Sequence, residues 1–161
     1  MTVLSDRTID EYIDRGIIGV DPTPTDEQIQ PASLDVRLGD ELYDFETDDL
    51  VAADAFRLKP FQRYLGRTKE VISLPSDVAA QLAGRSTIGR MGVIVHKTAG
   101  WIDPSFHGSI TLELMNMGDE PITLKTDTRI AQLVFQYTDR PTTGYDGSYN
   151  GQIEPTPAKE L

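Results

Sequence analysis

Gly108-Ser109-Ile110-Thr111-Leu112-Glu113-Leu114-Met115-Asn116 decides the fold class. Ile110, Leu112 and Leu114 alternate with Thr111 and Glu113, the two-residue period of a strand with one apolar face. Placing the three apolar residues in a core sends Thr111 and Glu113 to the opposite face. Glu113 is then a surface carboxylate or, where that face lines a pocket or a subunit interface, a partly desolvated acid able to exchange protons. The same alternation recurs at Leu34, Val36 and Leu38, with Asp35 and Arg37 between them, and at Ile122 and Leu124. Further apolar runs stand at 64–65, 71–74 and 130–135. Gly39-Asp40 precedes a separate strand at 42–45, and the acidic stretch 46–54 reads as a solvated loop. Many short strands separated by turns indicate an all-β barrel or sandwich rather than alternating βα units. No internal repeat is present.

Outward from these strands the chain has two distinct ends. Ser5 can cap a short helix in which Ile9, Tyr12 and Ile13 share a face and Gly16 is the stop. Asp21-Pro22-Thr23-Pro24 follows as a turn or extended connector. At the other end, 141–161 carries Gly144, Gly147, Gly151, Pro155 and Pro157, with Tyr145 and Tyr149 as its only aromatics. Such a segment does not hold itself folded, so it is either a frayed tail or a flexible arm that closes over a ligand. The expected organisation is one β domain over 1–140, including the helix, followed by the arm at 141–161.

The chain has 161 residues, the size of one domain with its own core. It carries 26 acidic and 15 basic side chains, a net charge of −11, which repels nucleic-acid phosphates and anionic lipid surfaces. Neither a nucleic-acid partner nor a membrane partner is expected. Lysine occurs only at Lys59, Lys69, Lys97, Lys125 and Lys159, while aspartate crowds the first half, as in Asp48, Asp49 and Asp54. That bias suits a halophilic protein in a high-salt cytoplasm, where salt screens carboxylate repulsion. With no cysteine, a disulfide framework, a thiol nucleophile and a thiolate zinc site are all excluded. No apolar run approaches the ~18 residues of a membrane span, and a soluble, cytoplasmic chain is expected.

Against this acidic background, Gly84-Arg85-Ser86-Thr87-Ile88-Gly89-Arg90-Met91-Gly92 concentrates arginine, hydroxyl and glycine. Arginine forks bind phosphate oxygens and glycines admit a close ligand, so the local reversal of sign points to an anion. The competing reading is a short exposed helical turn. His96-Lys97-Thr98-Ala99-Gly100-Trp101-Ile102-Asp103-Pro104 is a turn-rich segment leading towards the strand that carries Glu113.

These segments, in this order, resemble the successive motifs of the dCTP deaminases, members of the dUTPase-like superfamily. The resemblance includes Gln30-Pro31-Ala32-Ser33-Leu34-Asp35-Val36-Arg37-Leu38-Gly39 upstream and Arg129-Ile130-Ala131-Gln132-Leu133-Val134-Phe135 downstream, and spans nearly the whole chain. It implies a distorted β-barrel or jelly-roll subunit assembled as a homotrimer, with nucleotide sites between subunits, Mg2+ on the triphosphate and no zinc. Zinc nucleoside deaminases use a His/Cys/Cys or Cys₃ site, and His96 and His107 cannot replace one. The resemblance assigns Glu113 the central acid/base role. Ser86 and the carbonyl of Ala99 would hold the attacking water, and Arg90 would orient glutamate and water. Arg85, Ser86 and Gln132 would contact phosphates. Asp103 would accept from the deoxyribose 3′-hydroxyl, with Thr98, Trp101, Tyr149 and Gln152 also at the nucleotide. Two departures stand out: Thr87 replaces a serine, and Ser148 stands where a lysine commonly precedes the tyrosine.

The first functional expectation is zinc-independent deamination of dCTP to dUTP and ammonia. The alternatives are a bifunctional enzyme forming dUMP and diphosphate, a dUTP diphosphatase alone, or a nucleotide-binding trimer without catalysis. In the superfamily's diphosphohydrolases the carboxylate matched by Asp103 activates water for phosphoryl attack. Gly100, where monofunctional bacterial deaminases often show histidine, leans towards bifunctionality, and Glu113 argues against a diphosphatase alone. The resemblance also implies dTTP as an inhibitor.

Overall fold

The computed structural model describes residues 2–159. Its elements are α1 (Asp6–Asp14), β1 (Gly19–Asp21), β2 (Ile29–Gln30), β3 (Ser33–Asp44), β4 (Asp49–Ala52), β5 (Ala55–Leu58), β6 (Arg63–Ser73), β7 (Val78–Gly84), α2 (Ser86–Arg90), β8 (Val93–Ile94), β9 (Trp101–Ile102), β10 (His107–Asn116), β11 (Ile122–Lys125) and β12 (Arg129–Tyr137). Among the described residues ten strands join one sheet, whose main path runs β8-β10-β6-β3-β12-β7-β9, with β1 on β6 and with β2 and β4 on β3. β5 and β11 form a separate pair. The sheet curls into a half-barrel, the all-β class expected from the alternation, with one short helix at its N-terminal end. The hydrophobic core includes Leu34, Val36, Leu38, Leu112, Leu114, Ile130 and Leu133, all fully buried.

Helix α1 takes Ser5 as its N-cap residue, although the serine side chain makes no capping hydrogen bond, and Gly16 follows at φ +65°. Ile9 is buried, and Tyr12 meets Tyr137 of β12 hydroxyl to hydroxyl at 2.6 Å. That shared hydrogen bond pushes the Tyr137 phenol up to about 12.

Several strands differ from the sequence expectation. Positions 64–65 and 71–73 belong to the single strand β6, with Leu74 just beyond its end; its inward positions between Tyr64 and Ile72 are Gly66, Thr68 and Glu70. Those residues hide the apolar period, yet all three are buried. Thr68 closes a defect in the ladder: β10 shifts register against β6 between Ser109 and Thr111. The free Ile110 amide there donates to Thr68 Oγ1 at 2.9 Å. The strands expected at 34–38 and 42–45 are likewise one strand, β3, which ends at Asp44, one residue short of Phe45. Gly39-Asp40 forms a register shift against β6 rather than a turn. A Cβ at Gly39 would come 2.9 Å from Arg67 Cγ. The stretch 46–54 is solvent-exposed as expected, but its residues 49–52 pair with β3 as β4.

Glu70 has a fully buried side chain whose oxygens accept from Arg37 Nε at 2.7 Å, Arg37 N at 2.8 Å and Gln28 Nε2 at 3.0 Å. This network ties the segment before β2 to β3 and β6. Removing one member of a buried ionic network leaves the others desolvated and unpaired. Glu70→Ala is therefore expected to cost about 3 kcal/mol of unfolding free energy, the lower end of the usual range because Arg37 keeps some solvent contact. Urea denaturation measures it, and a loss below about 1 kcal/mol would show that water replaces the carboxylate.

Strand β7 has no counterpart in the sequence reading. Val78, Ala79, Ala80 and Leu82 are buried on both faces, so the run neither alternates nor shows large apolar side chains. Over the described residues 141–159 the chain has no regular secondary structure but lies along the start of β10. Gly151 N donates to His107 O at 2.6 Å, Ser109 N donates to Gln152 O at 2.8 Å, and Pro155 is buried. Gly108, at φ +146°, permits this approach, since a Cβ there would lie 2.6 Å from Gln152 O. Positions 160–161 of the expected arm lie outside the described residues. Among the described residues no helix is long and apolar enough to cross a membrane.

Candidate active site

Glu113 lies on β10 opposite Leu65 of β6, turned away from the core that Leu112 and Leu114 enter. It lines a cavity of about 450 Å³. Ala99, Trp101 and Asp103 contribute from the segment before β10, and Tyr149 and Gln152 contribute from the docked C-terminal segment. The Glu113 Oε2 accepts from Lys97 N at 2.6 Å and more weakly from Thr98 N at 3.4 Å. Backbone donors therefore fix one carboxylate oxygen, and the other has no protein partner among the described residues.

The loop that supplies these amides is set by Gly100. Its carbonyl accepts from Leu82 N at 2.7 Å. A Cβ on it would lie 2.9 Å from Leu82 O and 3.0 Å from the His96 ring. A side chain at position 100 would have to displace backbone of β7, so this loop path requires glycine. The His96 Nδ1 is buried there without a partner. Three residues after Gly100, Asp103 Oδ1 accepts from Trp101 Nε1 at 3.1 Å, which orients the carboxylate at the cavity rim.

A second polar group gathers where β7 runs into α2, beside β12 and β3. Arg85 Nε pairs with Asp35 Oδ2 at 2.8 Å, and Arg85 Nη1 donates to Arg129 O at 2.8 Å. Gln132 is held from both sides, accepting from Ser33 Oγ at 3.1 Å and donating to Gly84 O at 3.2 Å. Ser86 and Arg90 are exposed. Asp35 is almost wholly buried; desolvation pushes its carboxyl above the ordinary carboxylate range, opposed by the charges of Arg85 and Arg129.

The residues expected at a site thus fall into two groups. One cavity brings together Glu113, Ala99, Trp101, Asp103, Tyr149 and Gln152, with the Thr98 amide at its edge. Arg85, Ser86, Arg90 and Gln132 do not line it. Sequence reasoning missed the Lys97 amide, whose role is a backbone one. It also missed Arg63, stacked 4.0 Å over the Phe45 ring on the cavity wall. Lys159 was missed as well. Its ammonium donates to Ser148 O and lies 5.3 Å from the Tyr149 ring, so a cation stands beside position 148 although that residue is serine. Among the described residues no cluster of three or more His, Cys, Asp or Glu is arranged to hold a metal ion.

Comparison with known proteins gives a consistent family picture. The model of the dCTP deaminase-like family matches residues 3–138. A relative from Methanobrevibacter smithii named "dCTP deaminase, dUMP-forming" is 39% identical, over 88% of this chain and 83% of its own length. One of the same name from Halobacterium salinarum is 42% identical, over 83% of this chain and 79% of its own. A Natronomonas pharaonis relative named "dCTP deaminase" is 38% identical, over 95% and 92%. Among solved structures, 2'-deoxycytidine 5'-triphosphate deaminase from Agrobacterium tumefaciens superposes with a TM-score of 0.74 at 21% identity, over 84% of this chain and 48% of that one. This chain therefore spans about half of that protein. A mutant dUTPase from a phage of S. aureus, described with a structural Mg(II) ion, superposes at 0.58 and 14% identity, over 81% and 99%.

Proposed function

The chain belongs to the dCTP deaminase-like family, and from that membership we propose that it deaminates dCTP and carries the product on to dUMP and diphosphate. The observation that carries this reading is the presence of Glu113 and Asp103 on one cavity, one carboxylate for each of two hydrolytic steps. The names of most of the relatives favour this bifunctional alternative over the release of dUTP that the sequence reading put first.

In the first step Glu113 takes a proton from water, and the hydroxide adds to C4 of cytosine. The carboxyl group returns that proton to N3, then carries the proton of the C4 hydroxyl to the amine as the C–N bond breaks and C4=O forms, so that water and dCTP give dUTP and ammonia. Binding one carboxylate oxygen to the Lys97 amide fixes the direction of that exchange. In the second step Asp103 activates water for attack on the α-phosphorus, giving dUMP and diphosphate. The Trp101 hydrogen bond supports this role by fixing the Asp103 carboxylate at the rim.

The separation of Arg85, Ser86, Arg90 and Gln132 from the cavity supports a site completed between copies of the chain, consistent with a homotrimer. Mg2+ would enter as part of the substrate, on the triphosphate, where it offsets charge that this acidic chain otherwise repels. The enzyme would serve a cytoplasmic nucleotide pool at high salt.

Incubation with Mg2+ and dCTP, followed by ammonia assay and anion-exchange chromatography, tests the reading. Ammonia and dUMP are expected in equal amounts, with diphosphate. Ammonia with lasting dUTP would overturn the second step, and dUTP hydrolysis without ammonia would overturn the first. Adding dTTP to the same assay reads inhibition directly.

A further inference from the structure

Strands β3, β7 and β12 lie side by side, and their register brings Asp35 opposite Gln132 and Gly84 opposite Ala131. One carboxylate in this region serves two guanidinium groups. Asp35 Oδ2 lies 2.8 Å from Arg85 Nε and 3.4 Å from Arg129 Nη1, with the aspartate side chain 2% exposed. Arg85 is also bonded to Arg129 O, and Arg129 Nη1 to the carbonyl of Glu27. The two arginines are thereby anchored at their inner edges, and both keep Nη2 without a protein partner among the described residues. Their side chains are 27% and 33% exposed, so the outer edges remain open to a ligand.

A single buried carboxylate neutralises only one of two guanidinium charges. The cluster keeps one net positive charge in a chain whose net charge is −11. A second arginine on the same carboxylate adds repulsion that a lone Arg85–Asp35 pair would avoid, and an anion on the open side relieves it. Guanidinium forks anchored in place lose little freedom on binding and match the oxygens of a polyphosphate. Arg129 is not among the residues expected at the nucleotide, and Asp35 has no role in that set.

We propose that Arg129 joins Arg85 as a second guanidinium gripping the triphosphate, and that Asp35 is the positioning residue that aims both. The proposal rests on the nucleotide reading above for the identity of its ligand, but the anion site can be measured without turnover. Arg129→Gln, Arg129→Lys and Asp35→Asn are compared with the unaltered protein at fixed ionic strength. The measurements are dCTP kinetics and calorimetric binding of inorganic tripolyphosphate and of deoxycytidine.

Arg129→Gln is expected to raise KM for dCTP and weaken tripolyphosphate binding by about tenfold, with kcat within about threefold and deoxycytidine affinity unchanged. Arg129→Lys recovers part of the loss, because it restores the charge but not the fork. Asp35→Asn, with circular dichroism reporting its fold, shifts KM in the same direction. Tripolyphosphate affinity within about twofold of the unaltered protein in Arg129→Gln overturns the second grip. An unchanged KM in folded Asp35→Asn overturns the positioning role. If the unaltered chain releases no ammonia from dCTP yet binds tripolyphosphate in an Arg129-dependent way, the deaminase reading falls and the anion site stands.

Discussion

Replacing Glu113 by glutamine is expected to lower ammonia release from dCTP by about 10²–10⁴-fold, the usual contribution of a positioned general acid/base. The substitution is close to isosteric, and the amide oxygen can still accept from the Lys97 amide that now holds Oε2 at 2.6 Å. Side-chain volume, strand pairing with Leu65 and the loop at 97–100 are therefore kept, and the lost function is proton exchange alone. An amide cannot take a proton from water at neutral pH, nor return one to N3 or the amine. The change should fall on kcat for deamination, with KM moved little, because the group removed acts in the transition state. Hydrolysis of added dUTP separates local from global damage. It should stay within about tenfold of the unaltered protein if Asp103 and the phosphate contacts are intact. Ammonia release at the normal rate in Glu113→Gln would end the acid/base assignment. Equal loss of both activities would instead place Glu113 in binding.

The direction in which Glu113 points was legible because Ile110, Leu112 and Leu114 leave no other register for β10. Glycine at position 100 was also visible, but not its cause, which is the carbonyl of Leu82, 18 residues away in sequence. β6 was harder to read: its inward Thr68 and Glu70 are polar, and their partners Ile110, Arg37 and Gln28 come from distant segments. β7 was invisible for the opposite reason, since a strand buried on both faces and built from alanine has no period. The alternation around Asp35 suggested a half-exposed side chain. It is buried because two arginines, one of them 94 positions later, neutralise it there. Buried charge is a property of pairs, and a single sequence displays only the members.

The separation between the two polar groups follows from strand order. Glu113 sits on β10 towards one end of the sheet path, whereas Gln132 and Arg85 sit on β12 and at the end of β7, with β6 and β3 between. Arg90 and Ser86 do not line the cavity that Glu113 enters. In the proposed assembly a second copy would bring them together, and activity would then be lost on dissociation. In that assembly the net charge of −11 would work against association at low salt, and screening by salt would favour it.

Asp103→Asn is expected to divert the product, so that dCTP yields ammonia and dUTP while dUMP formation falls by about 10²–10⁴-fold. The carboxylate accepts from Trp101 Nε1 at 3.1 Å through Oδ1, and an asparagine oxygen can accept the same bond. Rim geometry and the tryptophan orientation should survive, and the amide can still accept from a 3′-hydroxyl. What asparagine cannot do is remove a proton from the water that attacks phosphorus. Deamination, which depends on Glu113, should therefore continue within about tenfold of the unaltered rate. The two steps differ in the bond broken, C–N in one and P–O in the other, so chromatography with an ammonia assay resolves them in one reaction. If dUMP still appears at the normal rate, Asp103 does not activate the second water. If ammonia and dUMP fall together, the carboxylate serves substrate binding at the sugar, and the diphosphate step must draw its base from elsewhere on the cavity or from the partner copy. The product ratio, rather than the total rate, separates one carboxylate per step from two carboxylates in a single step.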